Sequence, residues 1–187
     1  SNTEPLFSVP AQVAAEASQS FGDASGPGDY RLVALPGQVD RALSATLEGE
    51  AGTEWQAYWD DGSDENPFPQ FGGSETSETF DFRPGRGFWV VSTEGWSVSD
   101  TLETVSLTAD QEVRIPLNGS STWTIVSNPL DRDVAWRSVV AANDLAASGT
   151  AQPLWRFDGA EGFVRADTMV SAASGEAYSP LPAEVVS

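Results

Sequence analysis

The chain is expected to be all-β, built from duplicated halves that form a β-sandwich or two closely apposed β subdomains, with two short helices. Three observations predict this. Short runs of aromatic and β-branched residues alternate with Gly, Pro and Asp-Gly punctuation, as strands joined by tight turns do. The stretch Phe82-Arg83-Pro84-Gly85-Arg86-Gly87-Phe88-Trp89-Val90-Val91 combines turn chemistry, in which Pro fixes φ and Gly accepts φ > 0, with a strand suited to a half-buried pleated surface. A degraded echo of the same order of elements returns after about ninety residues, too long a period for a solenoid.

Residues 1–29 are expected to be an N-terminal flank or linker. Pro10 is placed to open a short helix over the Ala-rich stretch from Ala11 to Ala17, and Gly26-Pro27-Gly28 then breaks the chain. The first β repeat, residues 30–103, starts with a strand from Tyr30 to Leu35 that Pro36-Gly37 ends. Asp40 offers an N-cap, Leu43 and Leu47 share a helical face, and Gly49 is a natural stop, which together predict a two-turn helix. A strand from Glu54 to Trp59 comes next, then an acidic hairpin loop from Asp60 to Pro67 and a return over Phe68 to Phe71. After a polar loop, Thr79 to Phe82 leads into the Pro-Gly-x-Gly turn, and Trp96-Ser97-Val98 closes the repeat.

The second repeat, residues 104–187, opens with two alternating segments, Thr104 to Thr108 and Glu112 to Leu117, the second of which ends in an Asn118-Gly119 turn. Thr122 to Pro129 answers Tyr30 to Pro36, and Asp133 is expected to cap a second helix with Trp136, Val139 and Val140 on one side. Leu154 to Gly159 answers Trp55 to Gly62. Ser174 to Pro180 takes the place of Gly85 to Val90, with Tyr178 standing where Trp89 stands.

Pro84, Gly85, Gly87, Phe88 and Trp89, with Ile115, Pro116, Leu117, Trp123, Asn128 and Pro129, form a pattern that resembles a duplicated module of large secreted proteins from the Bacteroidetes and Rhodothermus/Salinibacter lineages. The resemblance spans about Tyr30 to Pro182. This chain has Ser121-Thr122-Trp123 and Glu176-Ala177-Tyr178 where that pattern tends to have Gly-Trp-Asn and a second Gly-Tyr-Trp. The resemblance brings no activity with it. It implies an accessory position among the other domains of an exported parent protein, at an extracellular or cell-surface location.

Composition narrows the function classes. Neither Cys nor His is present, which excludes disulfides, thiolate nucleophiles, zinc-thiolate sites and imidazole acid-base chemistry. The 28 acids face nine bases, all Arg, for a net charge of −19. Such a surface repels phosphate backbones and anionic headgroups, so no nucleic acid is expected as a partner. An acidic, Lys-free surface also fits a salt-loving bacterium, since molar salt screens self-repulsion beyond about 3 Å. No apolar run reaches the ~20 residues that cross a bilayer, so no membrane insertion is expected, and no signal peptide is recognisable. Ser1-Asn2 reads as a scar of tag cleavage, and the piece is expected to come from a longer protein.

Two constellations are candidate sites. Trp55, Tyr58, Trp59, Trp96 and Trp155 are candidates for stacking on sugar rings of a polysaccharide, against the expectation that most large aromatics in a β protein are core. Alternation puts Trp55 and Trp59 on one strand face and Tyr58 on the other. Asp60, Asp61, Asp64 and Glu65 are a candidate Ca2+ loop, because calcium takes carboxylate and carbonyl oxygens, against the reading of a solvated hairpin tip. No cofactor is otherwise expected. With no nucleophile elbow or phosphate-binding loop, catalysis would rest on a carboxylate pair of the glycosidase kind. The expected function is a non-catalytic structural or adhesion module, with a carbohydrate-binding module as the alternative. An exposed coplanar row of Trp and Tyr would favour that alternative.

Overall fold

The computed structural model describes residues 12–37, 41–60, 69–71, 80–105, 114–115, 117, 123–143, 145, 153–172 and 175–180. Within them the chain is all-β. In order it forms β1 (Gln12–Gln19), β2 (Arg31–Ala34), β3 (Trp55–Tyr58), β4 (Gly87–Ser92), β5 (Trp96–Glu103), β6 (Val134–Ala135), α1 (Trp136–Ala142), β7 (Leu154–Asp158), β8 (Gly162–Ala166), β9 (Thr168–Met169) and β10 (Ser179–Pro180). These strands pair antiparallel into small sheets, with the orders β1-β5, β2-β4-β3, β10-β7-β8 and β6-β9.

The Pro-Gly-x-Gly turn sets β4 in the middle of its sheet. Pro84 and Gly85 hold the two central positions of a turn closed by Arg86 N–H donating to the Arg83 carbonyl at 2.9 Å, and Gly85 has φ +82°. That is a type II turn, whose third residue requires φ > 0. Beyond it the strand alternates. Phe88 and Val90 enter the main core with Val33, Leu35, Trp55, Ala57, Phe80, Phe82 and Trp96, and Trp89 faces the other way. A chain of ring contacts runs through this core from Trp55 to Phe71, Phe80, Phe88, Phe82 and Trp96, each step between 5.1 and 6.2 Å. Burial of each such ring contributes roughly 1.5–3 kcal/mol.

The flank differs from its expectation. Residues 12–19 are a strand rather than a helix or linker, because Val13, Ala15 and Ala17 alternate with exposed Gln12, Ala14, Glu16 and Ser18. Period two wins over the helix propensity of Ala once β5 offers a partner edge along its whole length, from Gln12 opposite Glu103 to Gln19 opposite Trp96. The small side chains matter here, since Ala17 lies against Gly175, which Trp96 also borders.

The expected helices also shift. Over Leu43–Ala45 the chain makes a single 3-10 turn, with Leu43 and Leu47 both buried and Gly49 ending the segment at φ +92°. Asp40 lies outside the described residues. The second helix begins at Trp136, not at Asp133, because Val134 and Ala135 first pair with Met169 and Thr168. The Asp133 carboxylate instead accepts from the Ser171 N–H at 3.2 Å. Trp136, Val139 and Val140 do pack into a second core with Val126, Leu154, Met169 and Tyr178. The expected strands at Thr104–Thr108 and Glu112–Leu117 lie mostly outside the described residues, as does the loop after Asp60.

The two parts of the chain repeat one pairing scheme. In the first, β2 and β3 flank β4, with Val33 opposite Phe88. In the second, Val126 and β7 flank the segment Tyr178–Pro180, with Val126 and Tyr178 exchanging both backbone hydrogen bonds at 2.7 Å. With Val126 equivalent to Val33, this register makes Tyr178 the equivalent of Phe88 rather than of Trp89. The parts also reach across to each other reciprocally. Ala34 N–H donates to the Gly175 carbonyl at 3.1 Å, and Ser127 N–H donates to the Gly85 carbonyl at 3.0 Å. Both acceptor glycines are left-handed, at φ +83° and +82°.

Candidate functional site

The face of the β2-β4-β3 sheet that points away from the main core is aromatic. Tyr30 precedes β2 on the same side as Leu32 and Ala34, Trp89 stands on β4, and Tyr58 lies directly opposite Trp89 on β3. The β7–β8 hairpin supplies a second set, since Phe157 and Phe163 are a direct cross-strand pair. Asp158 shapes the turn between them by accepting from Ala160 N–H at 3.0 Å and Glu161 N–H at 3.2 Å. Those two bonds, Glu161 first, hold the Asp158 carboxyl below the usual carboxylate range.

These groups surround one cleft of about 510 Å3, lined by Pro27, Tyr30, Tyr58, Asp60, Trp89, Trp123, Ile125, Phe157, Phe163 and Ser179. Both parts of the chain contribute. Trp89 is the hub, at 5.0 Å from Phe157, 6.0 Å from Phe163 and 6.5 Å from Tyr30, with interplanar angles of 79°, 88° and 78°. Trp123 stacks on Phe163 at 4.8 Å, and Tyr30 lies 6.1 Å from Tyr58. Phe163, 42% exposed, is the one exposed large hydrophobic side chain among the described residues. The polar groups at the cleft are few. Burial first, and then the neighbouring Tyr30 phenol, pushes the Tyr58 hydroxyl up, so it stays a neutral donor. Asp60 is 7% exposed and is the single carboxylate among the described lining residues, which include no Arg.

Of the five aromatics expected to bind sugar, only Tyr58 lines this cleft. Trp55 and Trp96 are main-core residues, 3% and 2% exposed. Trp59 packs at the edge of that core with the Arg86 guanidinium 4.7 Å from its ring centroid. Trp155 is half-buried on β7, beside Ser179 in register, and does not line the cleft. Tyr30, Trp89, Trp123, Phe157 and Phe163 were not anticipated as a site. For Trp89, between the core residues Phe88 and Val90 on β4, the signal is alternation, which turns it to the opposite face.

Of the expected calcium ligands, Asp60 belongs to the cleft, and Asp61, Asp64 and Glu65 lie outside the described residues. No group of three or more acidic side chains placed to hold a metal occurs among the described residues. No described helix is long and apolar enough to cross a membrane. A second cavity, of about 600 Å3, is lined by residues of α1 and in part by members of the second core.

Fold and site together define an all-β protein with an aromatic cleft where two three-stranded sheets meet. Comparison with protein-family models, curated proteins and solved structures finds no match to this chain.

Proposed function

We propose that this chain is a non-catalytic extracellular adhesion module of a larger secreted protein, that it arose by duplication of one β unit, and that it adheres through the aromatic cleft. The cleft carries the reading. Six aromatic rings from both parts of the chain line one cavity, and a concave, mostly apolar cavity with a few polar groups at its wall is the usual form of a ligand site. The repeated pairing scheme and the reciprocal hydrogen bonds at Gly85 and Gly175 support the duplication. The acidic, Lys-free composition supports a salt-loving source.

A carbohydrate-binding module is the second reading, favoured by Tyr58 and Asp60 in the cleft, which could bond sugar hydroxyls beside an aromatic wall. A glycosidase would need two carboxylates about 5–9.5 Å apart, and the described lining offers one. The test is a titration of intrinsic tryptophan fluorescence against soluble polysaccharides and small aromatic or alkylated ligands at molar salt, with and without calcium. Trp89 and Trp123 report directly from the cleft. A saturable shift supports adhesion through it, a shift confined to one glycan supports the second reading, and a flat response across the panel refutes both.

A further inference from the structure

Resting on the reading of the cleft as a binding site, we infer that its partner is an extended polypeptide segment, which adds a strand to the outer edge of β8 and lays a large apolar side chain against Phe163. Among the described residues β8 is an edge strand. It pairs with β7 on one side, and no backbone hydrogen bond joins Gly162–Ala166 to any other described segment. In an antiparallel pair alternate residues turn their N–H and C=O groups away from the partner strand, so β8 presents such groups outward. An edge of this kind is a template for another chain, and proteins commonly blunt it with Pro, Lys or a bulge. β8 has neither Pro nor Lys, and it runs in unbroken register from Gly162 opposite Asp158 to Ala166 opposite Leu154. Arg165 is its one charged residue, on the same side as Phe163 by alternation. The edge of β1 is open in the same sense, but its exposed positions, Gln12, Ala14, Glu16 and Ser18, offer no large apolar anchor.

The side chains beside this edge suit the same partner. Phe163, 42% exposed, stacks on Trp123 and meets Trp89 and Phe157 edge-to-face, so the rings pack on one another into a preassembled apolar wall with its exposed margin on β8. The polar groups of the lining are largely committed within the chain. Ser179 Oγ donates to the Thr124 carbonyl at 3.0 Å, Asp60 already has an interaction partner, and the Tyr58 phenol neighbours that of Tyr30. A glycan's many hydroxyls would find few partners there. An extended peptide brings its own match, because its backbone bonds to the β8 edge while side chains at every second position meet the aromatic wall. With neutral apolar side chains it needs no free charge in the lining and meets no repulsion from a net charge of −19.

The experiment uses the whole chain at molar salt with dye-labelled, end-capped heptapeptides in which threonine alternates with valine around a central phenylalanine, tryptophan, leucine or alanine, read by fluorescence anisotropy. At least one peptide with a large central residue is expected to bind saturably, with a dissociation constant of roughly 0.1 mM or below, and the alanine peptide at least about tenfold more weakly. The tightest peptide is then N-methylated at alternate residues, in either of the two phases. The phase whose methyl groups face β8 is expected to lose at least about tenfold in affinity and the other to stay within about twofold, a split that a side chain merely seated in the cleft would not produce. Hydrogen exchange of the complex should add protection at β8 amides, and neither readout needs a protein variant. Equal affinity for both methylated phases or for the alanine peptide overturns the inference, as does added protection confined to other strands. So does failure of every peptide to bind while a polysaccharide or small aromatic ligand shifts the tryptophan emission, a result that leaves adhesion through the cleft standing. No response to any of these probes overturns both.

Discussion

Replacing Gly87 with Ala tests whether the two parts of the chain are packed against each other at β4. Gly87 pairs with Ala34 and does not occupy the left-handed region, so an added methyl is opposed by space alone. An ideal Cβ there would stand 2.6 Å from Ala177 Cβ, 2.7 Å from Ile125 Cγ2 and 3.2 Å from the Val33 carbonyl oxygen. Comfortable separations are about 3.5–4.0 Å, so the sheets must part by close to 1 Å. Ala177 and Ile125, 1% and 5% exposed, have nowhere to swing. Overpacking of this kind costs about 1–3 kcal/mol, and at this chain length each kcal/mol lowers Tm by about 2–4 °C. A drop of roughly 2–12 °C is expected by calorimetry. Ala177→Gly in the same chain removes one of the close contacts, so a double-mutant cycle should show a favourable coupling of about 0.5–1.5 kcal/mol. A Gly87→Ala melt within about 1 °C of the parent, or strict additivity in the cycle, refutes the packing described here.

Three further outcomes are expected. Burial raises the Glu176 carboxyl above its ordinary range, with Arg156 opposing it, so the folded protein holds that proton more tightly than the unfolded chain. Stability from this group is therefore lost as pH rises from the ordinary carboxylate range through the raised folded value, and Glu176→Gln should raise Tm at neutral pH with no gain at lower pH; an equal gain at every pH would sink the assignment. With a net charge of −19, Tm should climb between low and molar NaCl, and a flat profile would count against self-repulsion as the dominant surface term. The Ala34 and Ser127 amides, bonded reciprocally to Gly175 and Gly85, should exchange with solvent only through global opening and at matching protection, which Ser127 exchanging orders of magnitude faster would contradict.

Much of the first part of the fold is legible in the chain because local chemistry and tertiary context agree there. Pro84 and Gly85 demand a type II turn whatever surrounds them, and Phe88 to Val91 then alternate as a strand that needs only a core on one side. Ala11 to Ala17 misleads for the opposite reason. Alanine favours a helix, and only the long β5 edge, far off in sequence, makes a strand the better outcome. Asp133 misleads similarly, since its carboxylate serves the distant Ser171 N–H instead of a helix end.

The site is harder to read than the fold. Trp55 and Trp96 draw notice as tryptophans, yet the main core consumes them. The cleft depends on which face of β4 and β7 is buried, and on the β7–β8 hairpin coming to rest over the outer face of a sheet built from residues far earlier in the chain. Phe163 carries no local mark of this role. It becomes visible only once Phe157 is seen to be its cross-strand partner and Trp89 its neighbour.

The most direct test of the account is the ligand response of the cleft itself, read in the parent and in Phe163→Ala side by side. Tryptophan emission should shift saturably with one ligand of the panel in the parent, and the response should weaken at least about tenfold in the variant, which loses its ring contacts to Trp89, Trp123 and Phe157 and melts lower but still cooperatively. A response of equal affinity in both proteins would place binding elsewhere, and its complete absence from the parent would contradict the assignment of a binding function to this cleft.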